Sequence, residues 1–366
     1  MDIIAVREVN DTLEQLKKDG VQLYSISKAD AISNCLYGAY LSYKTHSPTC
    51  PNVYSKLGSK VHDCLERILN NEATTDDLLP ALQSELDEAD MLGMDFPRDR
   101  RGGTSIRDNW IKNMTHFCTN FQKLDGEFLT EQLFIYPLSP TRTIRGYIDV
   151  VEIIDEDNKE ISIWDWKTSS QFSKETLLEH GRQLVVYQIA KEYEGYKVKD
   201  VGWIMLKYAE ISYNWYARKN AKNKTPITKV CDRWKIGETL KDFVSGWLAE
   251  SGYDEFDIEY FVNKMLTSNS IDGLPILLQE EISINLYIRK YEVTEELKQE
   301  ALDYITKQAD IFESLTADDE SKWTPSITPD KEFFCSYLCD HGKFCKHYKT
   351  YKTLKQLEKT ADEDLF

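Results

Sequence analysis

Three observations predict an α/β fold: a mainly helical first third, a patch of three consecutive strands after it, and a helix followed by one more apolar strand. The helical part shows amphipathic runs at 28–44, 56–69, 75–90 and 106–124. The strand patch covers 127–136, 143–154 and 160–168, where apolar and β-branched residues dominate and the polar stretch 155–159 supplies a turn. A helix is expected over 174–193, with Ser173 as its N-cap. The run VGWIMLKY at 201–208 reads as an apolar strand. The order helix, three strands, helix, strand makes a compact α/β unit. Beyond it come a basic loop, helices over 237–249 and 257–266, a strand over 281–291 and a long helix over 294–315. The tail carries a cysteine cluster and ends acidic, in ADEDLF. With no repeat, low-complexity tract or clear linker, one elaborated domain is expected across 1–366. Its parts are a helical 1–125, an α/β core at 126–210, a basic loop with helices at 211–316, and a cysteine segment and tail at 317–366.

Composition narrows the class. The chain has 366 residues, of which 41% are hydrophobic and 12% aromatic, enough for a sizeable core. The first twenty residues are charged from the start, unlike a signal peptide. No apolar stretch approaches the roughly 20 residues that span a bilayer. The expectation is a soluble, cytoplasmic protein without membrane partners, in the host cytoplasm if the gene is viral. A formal net charge of −17 argues against broad, non-specific nucleic-acid binding. Local basic clusters leave room for a groove: Arg218, Lys219, Lys222, Lys224, Lys229, Arg233 and Lys235, interleaved with Trp215, Tyr216 and Trp234; the stretch 343–355; and Arg98, Arg100 and Arg101. Each can equally be a solvated charged face. Lys219, Lys222 and Lys224 are the DNA-contact candidates.

The segment RGYIDVVEIIDEDNKEISIWDWKTSS sets Asp149, Asp165 and Lys167 on two consecutive strands. Residues 165 and 167 share one face of a strand. A turn centred near Asp157 sets Asp149 opposite Asp165, with Cβ atoms roughly 4.5–5.5 Å apart. Two acids held that close repel, and a divalent cation is the usual reason to keep them there. Two carboxylates and a lysine suffice to hold Mg²⁺ and activate a water. The alternative is an exposed Asp-x-Lys strand triplet with no further role.

Gly58, His62 and Glu66 recur at four-residue steps in LGSKVHDCLERIL, on one helix face. A neutral imidazole is a good extra ligand in a carboxylate site, although His62 can also be structural. Gln183 and Tyr187, four apart in GRQLVVYQIA, could bind a phosphate or brace the acids, or simply pack. Cys335, Cys339 and Cys345 stand together in FFCSYLCDHGKFCKHY, with Cys35 far upstream. In a reducing compartment such a set suits a metal or cluster site better than disulfides. A Cys₄ Zn²⁺ site or unrelated buried thiols are the other readings. Cys50, Cys64, Cys118 and Cys231 show no partner pattern.

Taken in order, His62, GYID with Asp149, DWK with Asp165 and Lys167, and QLVVY with Gln183 and Tyr187 resemble the RecB-like branch of the PD-(D/E)XK nuclease superfamily. YSISKADAISNCLYGAYLSY is similar to that family's Ser-x-Ser entry to its first helix. The resemblance runs from about Tyr24 to Cys345, and the stretch 209–280 matches nothing assignable. It implies a restriction-endonuclease-like core and a metal-dependent DNA nuclease, an exonuclease or end-processing enzyme acting on single strands or strand ends. It implies that His62, Asp149, Asp165 and the backbone carbonyl of Trp166 ligate Mg²⁺ or Mn²⁺. Lys167 would orient and help deprotonate the water and neutralise charge on the phosphorane. The family's first acid, on the helix, has no clear counterpart; Glu66, and Glu131 on the first strand, are candidates. The cysteines resemble the subset that carries a 4Fe–4S cluster, the AddB type and CRISPR-associated exonucleases, which implies ligation by Cys35, Cys335, Cys339 and Cys345. The first gap among the last three holds three residues where that pattern usually holds two. Such a cluster would staple the tail to the N-terminal helices. With no G-x-x-x-x-G-K-[ST] loop, any ATP-driven unwinding must come from a helicase or recombination partner. A catalytically silent DNA-binding or scaffold subunit is the alternative function.

Overall fold

A computed structural model describes residues 6–97, 105–215 and 225–363. The chain opens with helix α1 (Val6–Lys18) and a short strand β1 (Gln22–Tyr24). Four helices follow, α2 (Ile26–Asn34), α3 (Leu36–Tyr43), α4 (Val53–Leu69) and α5 (Leu78–Met91), and then α6 (Ile106–Asn120). Next come β2 (Glu127–Ser139), β3 (Arg142–Asp155), β4 (Glu160–Lys167), α7 (Leu177–Tyr193), β5 (Lys197–Trp215) and β6 (Thr225–Asp232). The remainder is α8 (Ile236–Glu250), α9 (Glu255–Ser268), α10 (Ile276–Gln279), β7 (Ile282–Lys290), α11 (Glu295–Glu313) and α12 (Lys346–Glu363).

The seven strands of the described residues join one mixed sheet, along the path β1-β3-β4-β5-β6 with β2 on β3 and β7 on β5. The β2–β3–β4 meander is antiparallel, whereas β4 and β5 run parallel through the α7 crossover. Helices cover both faces, which is why β4 is buried along nearly its whole length. One core joins Ile161 and Ile163 of β4 to Leu184 and Tyr187 of α7, Ala29 and Ile32 of α2, and Ile305 of α11. A second packs Trp164 and Trp166 of the same strand against Leu57 and Val61 of α4 and Trp110 and Phe117 of α6. Alternation along β4 thus feeds two different helical layers. A third cluster packs α8 and α9 onto the far half of β5.

Several expectations need correction. The run expected as one helix over 28–44 is two, broken at Cys35, whose extended backbone (φ −162) ends α2 and caps α3. The helix expected from 174 starts at Leu177, because the Ser173 hydroxyl accepts from Thr176 N–H and holds a turn before it. The predicted basic loop is in part a strand: β6 pairs with β5 from Tyr208↔Asp232 to Trp215↔Thr225. Helix α12 fills much of the tail, where a cysteine cluster, the basic stretch 343–355 and an acidic end were expected but no helix. No helix among the described residues is long and apolar enough to cross a membrane.

Candidate active site

The centre forms where the β3–β4 ladder stops. The strands pair from Asp155↔Glu160 to Val150↔Trp164, one residue short of Asp149 and Asp165. That register agrees with the expected opposition of the two acids. In place of a further ladder bond, Trp166 N–H donates to Asp149 Oδ2 at 3.1 Å. The indole of Trp166 is buried beside Phe121, so only its backbone is available to the centre. Asp165 is 1% exposed, and its Oδ2 lies 2.6 Å from Lys167 Nζ. Even so, this oxygen accepts no well-aligned hydrogen bond among the described residues.

Helix α7 presents the next shell of groups. Lys167 Nζ also donates to Gln183 Oε1 at 3.2 Å, and Gln183 Nε2 donates to the Tyr187 hydroxyl at 2.7 Å. The lysine is therefore held between an acid and an amide whose orientation the phenol fixes. Helix α4 brings His62 from the other side, its Nδ1 3.6 Å from Asp149 Oδ2. Gly58, one turn earlier, allows this approach: a Cβ there would sit 3.1 Å from Thr168 Oγ1, just past the end of β4.

The electrostatics are those of acids crowded out of water. Burial, then the charge of Asp165, pushes Asp149 up to about 8, against the opposing pull of Lys167. Burial pushes His62 down to about 4, so its imidazole is neutral at neutral pH and the contact with Asp149 is no ion pair. Burial and the two aspartates raise the Tyr187 phenol, which stays protonated. A divalent cation would compensate this crowding by displacing the Asp149 proton and taking the free oxygen of Asp165, but His62, Asp149 and Asp165 would have to draw closer than they stand to hold one together.

One acid gains weight from the fold. The flanking pairs Thr130↔Val150 and Gln132↔Ile148 put Glu131 across from Asp149, and its charge adds to the upward pressure on that acid. Glu131 has φ +46, a left-handed conformation uncommon for a non-glycine residue within a strand. Sequence offered it only as a candidate, since a single acid in FLTEQLFIY carries no pattern. Glu66 acts on Glu131 rather than on the aspartates: burial, then Glu66, raises the Glu131 carboxyl.

The cysteine segment is a second, separate locus. Cys35 Sγ accepts from Gly38 N–H and from Ser326 N–H, each at 3.4 Å. Nearby, Asn52 Nδ2 donates to Leu338 O at 3.2 Å, Cys50 N–H to Asp340 O at 2.8 Å, and the Ser42 hydroxyl meets His341 Nε2 at 2.8 Å. Burial raises the Cys335 thiol and pushes Cys339 up to about 11; in both, Cys35 and Cys345 add to the rise. The four thiols thus share one neighbourhood, although among the described residues no three His, Cys, Asp or Glu stand close enough to hold a single metal ion. All eight cysteines are free, and Cys64 and Cys118 are buried in the core. Lys219, Lys222 and Lys224 lie outside the described residues, as do Arg98, Arg100, Arg101, Tyr216 and Arg218. Arg233 is not a surface cation: it is 5% exposed, donates to Leu206 O at 2.8 Å and lies over the Phe117 ring.

A family model for the PD-(D/E)XK nuclease superfamily matches residues 24–346, most of the chain. No curated protein matches it. The match takes in every described group of the centre and all four clustered cysteines, and the chain belongs to the PD-(D/E)XK nuclease superfamily.

Proposed function

We propose that this superfamily member is a metal-dependent deoxyribonuclease of the RecB-like branch, working as an exonuclease or end-processing enzyme on single-stranded DNA or strand ends. The observation that carries the reading is the convergence of Asp149, Asp165, Lys167 and His62, with Asp149 held protonated up to about 8 by burial and its acidic neighbour. Superfamily members generally use divalent ions such as Mg²⁺ or Mn²⁺. Here His62, Asp149, Asp165 and the Trp166 carbonyl would hold one. Bound there, the ion would polarise the scissile phosphate and lower the pKa of a water.

The chain's own groups do the rest. Lys167, gripped by Asp165 and Gln183, orients the attacking water and meets negative charge as it builds on the phosphate. Gln183 and Tyr187 keep that ammonium in place, and the Tyr187 phenol, protonated at neutral pH, can donate to a phosphate oxygen.

We also assign Cys35, Cys335, Cys339 and Cys345 to a 4Fe–4S cluster. Two backbone N–H groups donate to Cys35 Sγ, and Cys35 and Cys345 both act on Cys335 and Cys339, which supports one shared four-sulfur site. The cluster's role in this reading is a structural staple, and a helicase or recombination partner would supply any unwinding.

The decisive assay incubates anaerobically purified protein with end-labelled single- and double-stranded DNA in Mg²⁺, Mn²⁺ or EDTA, alongside Lys167→Ala. Metal-dependent cleavage reduced about 100-fold or more in the variant is expected. Binding without cleavage in every metal would mark a silent DNA-binding module instead.

A further inference from the structure

A cavity of about 570 Å³ opens directly beyond the catalytic strand, where Thr168, Ser169 and Ser170 follow Lys167. Its other walls come from α4, α6, β5, the end of β6 with the turn after it, and the cysteine segment. Three properties set it apart from an ordinary surface cleft.

The first is aromatic lining: Tyr54, Trp110, Tyr208, Trp234 and Phe333 all border it. Trp110 is tied down, its indole N–H donating to Thr168 O at 3.2 Å. Trp234 is anchored by its backbone N–H on Asn113 Oδ1 at 3.2 Å, while its ring remains partly open. Phe333 is 42% exposed.

The second is cationic. Lys112 Nζ and Lys235 Nζ stand 5.0 and 4.9 Å from the Trp234 ring centroid. Lys207 Nζ donates to Ser170 Oγ at 3.2 Å. These three lysines form no ion pair among the described residues, in a protein of net charge −17. The one acid on the wall, Asp232, is engaged by Asn113 Nδ2 at 3.1 Å. Ammonium groups around partly open rings, with Asp232 the one acid that acts on Lys207, match a polyanion that carries flat aromatic bases.

The third is position. The cavity's lining begins one residue after Lys167, with Thr168, so it adjoins the strand end that carries Asp165 and Lys167. A paired base cannot enter such a cavity without leaving its stack.

We propose that this cavity receives an unpaired nucleobase of single-stranded DNA beside the scissile phosphate, with Trp234 as the stacking platform and Lys112, Lys207 and Lys235 holding the flanking phosphates. This rests on the nuclease reading for the identity of the neighbouring phosphate. It adds the feature by which the centre selects single strands over duplex.

The test measures binding of the full-length protein in EDTA, where no cleavage occurs. Probes are a single-stranded oligonucleotide carrying a fluorescent base analogue and a blunt hairpin duplex of the same composition. The wild-type protein is expected to bind the single strand more tightly and to alter the analogue's emission on stacking. Trp234→Ala should weaken single-strand binding about 10-fold or more while leaving duplex binding unchanged, and Trp234→Phe should retain most of it. Phe333→Ala, at an exposed position, and Lys235→Gln carry the same test if Trp234→Ala fails to fold. Unchanged single-strand affinity in the folded variants, or an equal loss for both DNAs, would overturn the proposal. Cleavage by wild-type protein together with that result sinks the pocket alone. Trp234-dependent single-strand binding without cleavage in any metal sinks the nuclease reading and leaves the pocket standing.

Discussion

The acidic centre and the cysteine segment are built in opposite ways. Asp149, Asp165 and Lys167 lie within nineteen consecutive positions, on two strands joined by a tight turn whose Asp155 Oδ1 accepts from Asn158 N–H at 3.0 Å. Their meeting is enforced by one register. Cys35 meets its three counterparts across some 300 residues, through separate contacts such as Tyr37 N–H to Thr324 O at 3.1 Å and Lys331 Nζ to Asn34 O at 2.8 Å. The first locus stores its tension as electrostatics: two acids, one of which keeps its proton. The second stores the closure of a very long loop, which only many weak contacts or a strong cross-link can hold. A local site can therefore tolerate loss of its ligand, whereas under the proposed cluster the long-range closure would depend on it.

Removal of one cysteine should give the largest effect on stability. Cys339→Ala is expected to cost about 3 kcal/mol or more, the scale of losing a native cross-link, and to abolish visible absorbance of the anaerobically purified protein. Thermal unfolding followed beside the visible spectrum checks both. If stability and activity stayed at the wild-type level, the segment would be no staple.

The acidic centre should respond with the opposite sign. Without metal, unfolded Asp149 loses its proton near the usual value of about 3.9. In the folded protein it keeps that proton until about 8. Between those values the folded state binds more protons, so stability falls as pH rises across that window, by at most about 1.4 kcal/mol per pH unit. Asp149→Asn should flatten the slope and raise the metal-free melting temperature at pH 7, while abolishing cleavage. Denaturant titrations at several pH values in EDTA would show it, and a variant less stable than wild type at pH 7 contradicts the burial account.

Metal uptake at pH 7 should accordingly release about one proton from Asp149, measurable by calorimetry in buffers of different ionisation enthalpy. Heats that do not vary with buffer would mean the site is already ionised.

Glu131→Gln should be the mildest change. Its charge is only the last contributor to the rise at Asp149, so the pH slope should shift slightly toward acid with the fold intact. A large stability loss would instead mean that the left-handed backbone at Glu131 depends on its carboxylate.

Much of the centre was legible in the chain because its signals are periodic. Two-residue alternation set Asp165 and Lys167 on one face, a polar turn set the register to Asp149, and four-residue spacing paired Gln183 with Tyr187. Glu131 was not decidable, since its role comes from a cross-strand neighbour that one sequence position does not announce. The break at Cys35 was missed because both flanking segments are good helix formers, and the sulfur's two backbone donors come partly from Ser326. Arg233 read as a groove cation, and only packing revealed it as a buried guanidinium over the Phe117 ring.

By itself, then, the sequence determined the α/β class, the strand pair and the chemical character of its acids, because these follow from local periodicity and residue type. Tertiary structure decided which face His62 joins, that Glu131 stands across from Asp149, and that aromatic rings from five separate segments border a cavity whose lining starts just after Lys167. Those are consequences of side chains brought together by burial, which no spacing along the chain encodes.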